Sequence, residues 1–304
     1  MRLFLVSLAL LISGCDLFPQ SHLERVQEKG FLLALTRNSA TTYYEGPFGP
    51  TGLEYDLAAG FAEFLGVKLK TETPDTLSRM LARIQGGKAD FAAAGLTVTE
   101  ERKTYINFGP SYQRITPQLV YRIGTASPRN LDGLNGNLEV VAKSSHAERL
   151  TSLQDEYPNL SFEENSELES QQLLDLVWEQ VIDYTVADSN EVAITRRFYP
   201  ELRVAFDISS PVPLAWAFPP GEDRSLIEKA EEYFAALQES GELDQLLVAY
   251  LDNQYDTASA VDKEAFQALL ALPHPELVGY LLNNQPPDRA LQRVVDDILH
   301  RPHT

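Results

Sequence analysis

Residues 89–112 read ADFAAAGLTVTEERKTYINFGPSY, and the expected fold follows from this stretch. Residues 89–96 are mostly apolar, which is typical of a buried strand. Thr97 stands at the carboxyl end of that strand, and Arg102 follows five residues later. A strand that leads into a helix start offers free backbone N–H groups, which favour an anion. Because the Arg102 fork and the Thr97 hydroxyl add donors, this segment is a candidate carboxylate site.

The residues before this stretch alternate between helix and strand patterns. They predict helices at 23–30, 53–65 and 77–84, strands at 31–36 and 67–72, and a turn-rich loop at 38–52. Glycines close each of these helices. Because strand and helix alternate, the connections are crossovers, and a largely parallel sheet is expected.

The residues after 117 predict a second, smaller α/β unit. Its predicted strands are 118–122, 138–142, 160–163 and 184–187, and its helices are 145–157 and 173–181. Residues 203–212 then read as an extended return. Ser225 and Glu228 have the spacing of a capping box at the start of a further helix, which Gly241 ends.

The first fourteen residues, MRLFLVSLALLISG, have the pattern of a secretory signal: Arg2, an apolar stretch and small residues before Cys15. The apolar stretch is too short to span a bilayer, which takes about 20 residues. Residues 12–15 resemble the bacterial lipobox, which implies cleavage before Cys15 and a diacylglycerol on its thiol. Asp16 resembles the enteric signal for retention in the inner membrane. We therefore expect a periplasmic protein anchored by lipid to the inner or outer membrane.

The composition excludes several classes of function. The net charge of −19 over 304 residues disfavours nucleic acid as a partner. Cys15 is the only cysteine, so neither an internal disulfide nor a cysteine metal site is possible. The five histidines show no metal-ligand spacing, and we expect no metal and no cofactor.

The stretch 89–112 resembles the signature of the family 3 periplasmic solute-binding proteins, which are receptors for polar amino acids. The residues that carry the resemblance are Asp90, Thr97, Arg102, Phe108 and Tyr112. The resemblance implies that Arg102 and Thr97, with Gly95 beside them, hold the carboxylate of a zwitterionic ligand.

The resemblance extends to other positions that bind ligand in this family. These are Tyr43, Tyr44, Ser144, Ser145 and Asp188. One of the two tyrosines would pack on the ligand, with ordinary loop packing as the alternative. Lys143 stands where the family usually has glycine, so the geometry of that loop is open, although both serine hydroxyls are present. Asp188 would accept the ligand ammonium, and it also suits the N-cap of the following helix.

The resemblance implies an α/β fold of the two-lobed periplasmic-binding-protein type II, with two hinge strands and a short C-terminal helical tail. The expected divisions are 1–14 signal peptide, 15–21 lipid-anchored tether, 22–119 with 208–250 first lobe, 120–207 second lobe and 251–304 tail. Two short helices, 261–272 and 289–299, are predicted in the tail.

A narrower resemblance covers roughly residues 20–255. Stretches such as TRNSATTYYEG (36–46), GLEYDLAAGFAEFLGV (52–67) and KSSHAERL (143–150) are similar to the N-terminal, non-catalytic domain of the membrane-bound lytic murein transglycosylase F family. That family pairs a solute-binding-type domain with a lysozyme-like domain whose glutamate is the general acid. No Glu-Ser pair follows Tyr255, and residues 251–304 are too few for such a domain.

The sequence therefore predicts a lipid-anchored sensor of an amino acid or small (muro)peptide, rather than an enzyme. A murein hydrolase and an ABC permease are the alternative protein partners. Two other functions stay open at this point. One is an enzyme, either a transglycosylase or a dehydratase of the cyclohexadienyl type, and the other is a protein whose tail helices dock a partner.

Overall fold

The structure, a computed structural model, describes residues 19–39, 41–46 and 49–251. The predicted signal, Cys15 and both predicted tail helices lie outside the described residues. None of the helices in the described ranges has both the length and the apolar character that crossing a bilayer requires.

The described residues form two five-stranded sheets, a two-stranded hairpin and the helices that cover them. The strands are β1 (Phe31–Leu35), β2 (Tyr44–Gly46), β3 (Gly49–Thr51), β4 (Lys68–Glu72), β5 (Phe91–Ala92), β6 (Asn107–Ile115), β7 (Pro117–Arg122), β8 (Leu138–Val141), β9 (Glu163–Asn165), β10 (Tyr184–Asp188), β11 (Leu202–Asp207) and β12 (Val212–Phe218). The helices are α1 (His22–Lys29), α2 (Leu53–Phe64), α3 (Leu77–Gln85), α4 (Ser145–Leu153), α5 (Ser170–Trp178), α6 (Ser189–Phe198), α7 (Ser225–Ser240) and α8 (Glu242–Leu251).

The first sheet has the strand order β4-β1-β5-β12-β6. β4, β1 and β5 are parallel, as the predicted crossovers through α2 and α3 require. β12 is antiparallel to both β5 and β6. The expectation of a largely parallel sheet therefore holds for the N-terminal strands only, and β6 is a strand that the sequence patterns did not predict.

The second sheet has the order β11-β7-β10-β8-β9. β10, β8 and β9 are parallel, and α4 and α5 cover the crossovers between them. β7 is antiparallel to its neighbours β10 and β11. Parallel strands buried on both faces are typically apolar throughout, and all five residues of β10 are buried.

The chain passes twice between the sheets. It leaves β6 at Ile115 and enters β7 at Pro117, and it returns through residues 208–211 between β11 and β12. We call the first sheet with α1–α3, α7 and α8 the first lobe, and the second sheet with α4–α6 the second lobe. The Thr116 N–H donates to the Ser189 hydroxyl at 3.1 Å, and the Ser189 N–H donates to the Thr116 carbonyl at 2.9 Å. These two hydrogen bonds fix the passage between β6 and β7. The predicted residue boundaries of the two lobes stay a prediction.

A cluster of aromatic rings fills the core of the first lobe. Trp216 lies at its centre, with its ring centroid 4.8 Å from that of Phe91 and 4.7 Å from that of Phe234. All three side chains are buried, and each contributes roughly 1.5–3 kcal/mol through the apolar area that folding removes from water. This core makes the first lobe a rigid base for the segment that follows β5.

Several local predictions differ from the structure. The loop 38–52 contains the hairpin β2–β3. Residues 203–212 comprise most of β11, the passage 208–211 and the first residue of β12, and the predicted strand at 160–163 begins only at Glu163. The capping box is wrong: Arg224 is the N-cap of α7, and Ser225 donates its hydroxyl to Asp223 and accepts the N–H of Leu23. Tertiary docking of α1 therefore uses the serine that a local cap would have needed.

Candidate functional site

A small cavity lies between the two lobes, beside the carboxyl ends of β5 and β10. Its volume, measured as the space that the centre of a water-sized sphere can occupy, is about 30 Å³. Its lining is Arg37, Leu77, Gly95, Leu96, Thr97, Arg102, Val141, Ser144, Ser145, His146, Ser170, Asp188 and Glu191. The structure thus brings together six of the eight predicted ligand residues, which come from segments far apart in the chain.

The segment after β5 forms one wall of the cavity, and Gly95 is its turning point. Gly95 has φ +61°, a conformation that costs a residue with a side chain roughly 1 kcal/mol or more. Its N–H donates to Oε1 of Glu54 at 2.6 Å. Glu54 is 1% exposed and also accepts from Nε1 of Trp216 and from the hydroxyl of Tyr112. Burial raises the pKa of the Glu54 carboxyl, and the three hydrogen bonds oppose that rise.

Arg102 lies in the cavity wall and is 2% exposed. Its Nη1 donates to the carbonyl of Thr97 at 3.0 Å and its Nη2 to the carbonyl of Lys143, in the second lobe, at 3.2 Å. Its Nε is buried without a hydrogen-bond partner, and Oε1 of Glu148 is 3.6 Å away. Burial lowers the pKa of the Arg102 guanidinium, and the charge of Glu148 opposes that shift.

The helix start expected after Thr97 is only a single 3₁₀ turn, Arg102–Thr104. So short a turn has no helix macrodipole of consequence, because that field is the sum over many aligned peptide units. The anion-binding character of this wall therefore rests on the Arg102 side chain rather than on a helix N-terminus.

The loop before α4 forms the facing wall. Lys143, which replaces the family's glycine, has φ +57°, so the loop keeps the left-handed conformation that glycine would favour. Ser144 is the N-cap of α4 and accepts the N–H of Ala147 at 3.2 Å. Ser145 donates to the hydroxyl of Thr97 at 3.1 Å, which joins the two lobes. Of the two predicted serine hydroxyls, one caps the helix and one spans the cleft.

Asp188 ends β10 and occupies the N-cap position of α6, but its side chain makes no capping hydrogen bond. Its Oδ1 lies 2.8 Å from Nε2 of His146. Both residues are buried, Asp188 at 7% and His146 at 6% exposure. The Asp188 side chain therefore does not cap α6. It contacts His146 instead, a histidine that the sequence patterns did not identify.

Arg37 is a site residue that sequence reasoning missed. Its Nε donates to the carbonyl of Ala94 at 3.0 Å, and its Nη1 lies 3.3 Å from Oε2 of Glu169. Its Nη2 is 3.9 Å from Oε1 of Glu191. Burial opposes the charged form, but the charges of Glu191 and Glu169 outweigh it and raise the pKa of the Arg37 guanidinium.

A signal for Arg37 is present in the sequence. The residue comes two positions after the end of β1. In open α/β sheets, ligands bind outside the carboxyl ends of the strands. Glu191 gives a weaker signal, since it lies three residues after Asp188 and so one helical turn away.

The two predicted tyrosines are not among the residues that line the cavity. The Tyr43 ring packs edge-on against Tyr55 with centroids 5.7 Å apart, and its hydroxyl contacts Glu45. Tyr44 lies in β2 and pairs with Thr51. The structure places both in the local packing of the hairpin region, and a contact of either with a ligand stays a prediction.

The arrangement has the chemistry of a binding site for a charged organic molecule. Guanidinium and hydroxyl donors face the acidic side chains Asp188 and Glu191 across one small volume. Burial, followed by the charge of Asp188, raises the pKa of the Glu191 carboxyl. Among the described residues, no group of three or more histidine, cysteine or acidic side chains is placed to hold a metal ion.

A comparison with protein families finds one match that covers most of the chain. Residues 34–253 match the bacterial extracellular solute-binding proteins, family 3. Residues 240–302 match a second family, the flavinator of succinate dehydrogenase, and most of them lie outside the described residues.

Curated relatives share one name. The chain is 48% identical over 231 residues to "membrane-bound lytic murein transglycosylase F 1" of Alkalilimnicola ehrlichii, which is 75% of this chain and 47% of that protein. It is 42% identical to a transglycosylase F of Saccharophagus degradans, over 75% of this chain and 46% of that protein. It is also 42% identical to a transglycosylase F of Pseudomonas putida, over 82% of this chain and 51% of that protein. The chain thus spans about half the length of the curated relatives that it matches.

Solved structures share the fold at low sequence identity. A mutant of ArgBP from T. maritima has a TM-score of 0.69 and 21% identity, over 76% of this chain and 100% of that one. The substrate-binding protein AbpA of Streptococcus pneumoniae, bound to L-arginine, has a TM-score of 0.67 and 22% identity, over 75% and 98%. The ancestral amino acid-binding protein AncCDT-1 has a TM-score of 0.67 and 20% identity, over 76% and 100%. The predicted type II periplasmic-binding-protein fold is confirmed.

Proposed function

We propose that this chain, which belongs to the bacterial extracellular solute-binding proteins of family 3, binds an amino acid or small (muro)peptide between its two lobes. The observation that carries the proposal is the buried Nε of Arg102, which has no hydrogen-bond partner, with Oε1 of Glu148 at 3.6 Å; Arg102 lines the cavity together with Thr97 and Ser145. Leaving such a donor unpaired costs about 1–3 kcal/mol, and a ligand carboxylate would satisfy it.

Charge complementarity supports a zwitterionic ligand. The carboxylate would bind Arg102 and the hydroxyls of Thr97 and Ser145. The ammonium would face Asp188, on the other side of the same cavity. Two of the solved relatives are named as amino-acid-binding proteins, which agrees with a ligand of this class.

Binding would require the lobes to move apart and close again. The cavity is far smaller than the roughly 300–1,000 Å³ of typical ligand pockets. Direct contacts that span the cleft include the hydrogen bonds from Arg102 to Lys143, from Ser145 to Thr97, from Arg37 to Glu169 and from the Leu77 N–H to Glu169. Bending at Thr116 and at residues 208–211 would separate these pairs, which is the hinge motion of many two-lobed receptors.

We further propose that a lipid on Cys15 holds this receptor at the inner or outer membrane, facing the periplasm, and that it acts by binding rather than by catalysis. The signal pattern at 1–14 supports the export, and the family consists of extracellular proteins. An ABC permease would be the partner if the receptor serves transport.

A second candidate function is regulation of a murein hydrolase. It is favoured by the shared name of the curated relatives, half of whose length this chain spans. Here the ligand would be a peptidoglycan fragment, and binding would report on wall turnover. Co-purification of the full chain with and without added muropeptides tests this role, and a ligand-dependent transglycosylase in the eluate would support it.

Isothermal titration calorimetry of the full chain against amino acids and muropeptides tests the main proposal. We expect at least one zwitterion to bind, and the Arg102→Gln variant to lose at least about tenfold in affinity, because a charge-assisted hydrogen bond disappears. The matched control is Arg149→Gln, an exposed arginine on α4. Failure of every compound to bind, or equal affinities of parent and Arg102→Gln, would show that the proposal is wrong.

A further inference from the structure

The first lobe carries two guanidinium groups into the cavity, and one short segment holds both. The carbonyl of Ala94 accepts from Nε of Arg37 at 3.0 Å, and the carbonyl of Thr97 accepts from Nη1 of Arg102 at 3.0 Å. The Arg37 side chain is 13% exposed and the Arg102 side chain 2%. Both cations are therefore fixed on the same side of the cleft and largely withdrawn from water.

Neither guanidinium has all its donors in strong hydrogen bonds. The Nε of Arg102 has no hydrogen-bond partner, and Oε1 of Glu148 lies 3.6 Å from it. The contacts of Arg37 with the second lobe are 3.3 Å to Glu169 and 3.9 Å to Glu191. Charge-assisted hydrogen bonds between nitrogen and carboxylate are usually about 2.7–2.9 Å long. Each arginine thus has donors that a ligand oxygen could use at better geometry.

The two acidic side chains that face Arg37 each have another partner. Oε1 of Glu169 accepts the N–H of Leu77 at 3.1 Å, and Oε2 of Glu191 accepts from Ser170 at 2.7 Å. Neither carboxyl group would lose its last hydrogen bond if Arg37 turned to a ligand.

A single ligand carboxylate would improve the hydrogen bonding of only one of the two cations, whose contacts with carboxylates of the second lobe are 3.3–3.9 Å long. The charge of Arg37 also acts on Arg102, because it is among the influences that lower the pKa of the Arg102 guanidinium, after burial. Building on the ligand site proposed above, we infer that the cavity selects an amino acid or peptide with two carboxylates, one bound by Arg102 and the other by Arg37. The ammonium of such a ligand would still face Asp188.

Ligand pairs that differ only in the second carboxylate test this inference. Calorimetry of the full chain would compare L-glutamate with L-glutamine, L-aspartate with L-asparagine, and a cell-wall stem peptide with its glutamate α-carboxyl free or amidated. L-Arginine serves as a cationic probe. We expect at least one acid to bind about tenfold or more tightly than its amide. Amides or arginine that bind as tightly as the acids would overturn the inference.

The Arg37→Gln variant tests whether Arg37 is the residue that binds the second carboxylate. We expect the acid-to-amide affinity ratio to fall to near one, and the ratio to be retained in Arg37→Lys and in the exposed control Arg149→Gln. The ratio is insensitive to the fraction of folded protein, since both ligands meet the same sample. A ratio unchanged in Arg37→Gln would overturn the role of Arg37, and if that variant does not fold, the ratio of the parent decides.

The outcomes separate the two proposals. Binding of neutral or cationic amino acids without a preference for acids leaves the ligand site standing and removes the dicarboxylate inference. No binding by the parent to any compound removes both.

Discussion

Nε2 of His146 lies 2.8 Å from Oδ1 of Asp188, at the wall of the cavity between the lobes. His146 belongs to the first turn of α4, and Asp188 ends β10, so the contact joins two elements of the second lobe. An ionised carboxylate can only accept, so Nε2 carries the proton when the ring is neutral. The histidine thereby orients the carboxylate that we assign to the ligand ammonium.

Replacing His146 with leucine should lower the free energy of unfolding by about 1–3 kcal/mol, because Asp188 loses its donor in a buried place. Urea denaturation of His146→Leu, Asp188→Asn and the double variant measures the coupling. We expect a coupling energy of about 0.5–3 kcal/mol between the two sites. Strictly additive losses would mean that the contact contributes nothing to stability.

The carboxylate of Asp90 should make stability fall in acid. Burial alone would raise its pKa, but hydrogen bonds from His22, Lys29 and the Leu33 N–H outweigh burial and hold the pKa below its usual value. Since the folded pKa is depressed, the stabilisation is present above the unfolded pKa of about 3.9 and is lost as pH falls through the folded pKa.

The variant Asp90→Asn should remove this part of the acid limb and cost about 1–3 kcal/mol at pH 7. Urea denaturation from pH 2 to pH 7 measures both effects. Asp155→Asn, at an exposed position, is the control and should follow the parent. A variant curve parallel to that of the parent over the whole acid range would contradict the assignment.

Glu54 should be one of the most sensitive positions of the first lobe. Truncation to alanine leaves three donors without their acceptor, namely the Gly95 N–H, the Tyr112 hydroxyl and Nε1 of Trp216. We expect Glu54→Ala to lower the free energy of unfolding by about 3 kcal/mol or more, measured by urea denaturation. Glu63→Ala, exposed on the same helix, should change it by less than about 0.5 kcal/mol. Similar losses in both variants would contradict this account.

Alanine variants of two glycines with the same backbone conformation distinguish an effect on stability from an effect on ligand binding. Gly95 has φ +61° and Gly30 has φ +69°, so alanine at either position should cost roughly 1 kcal/mol in urea denaturation. An added Cβ at Gly95 would make ordinary contacts, 3.6 Å to Cγ2 of Thr42 and 3.7 Å to Nη2 of Arg37, but the backbone strain would act on a residue that lines the cavity, which Gly30 does not. Only Gly95→Ala should therefore change the calorimetric affinity for the tightest-binding compound of the panel. An equal effect of both variants on binding would contradict the placement of Gly95 in the site.

Cys15→Ala should move the protein from the membrane fraction to the soluble periplasm. One acyl-bearing group is the only anchor that we propose, and its apolar chains supply about 0.8 kcal/mol per buried CH₂. Fractionation, with mass spectrometry of the N-terminal peptide, measures both the location and the lipid. A Cys15→Ala protein that stays in the membrane fraction would show that another part of the chain holds it there.

Much of the fold could be predicted because its signals are local. The strand and helix periods before residue 89 were sufficient for the parallel part of the first sheet, since crossovers between parallel strands are nearly always right-handed. The stretch 89–112 likewise identified Thr97 and Arg102, which the structure brings to one cavity. By contrast, β6 was missed, and Ser225 was assigned to a cap although Asp223 and Leu23 take its hydroxyl.

The remaining charged residues in and around the site are brought together by contacts between segments that are distant in the sequence. Glu54 lies 41 residues before Gly95, and Glu169 lies 132 residues after Arg37. Sequence periodicity does not show whether a charged residue is buried against a partner or exposed to water. The sequence alone therefore left Arg37, Glu54, His146 and Glu191 without a role. Periodicity and short motifs report which face of an element is apolar, whereas the pairing of buried charges is decided when the lobes pack and water is excluded.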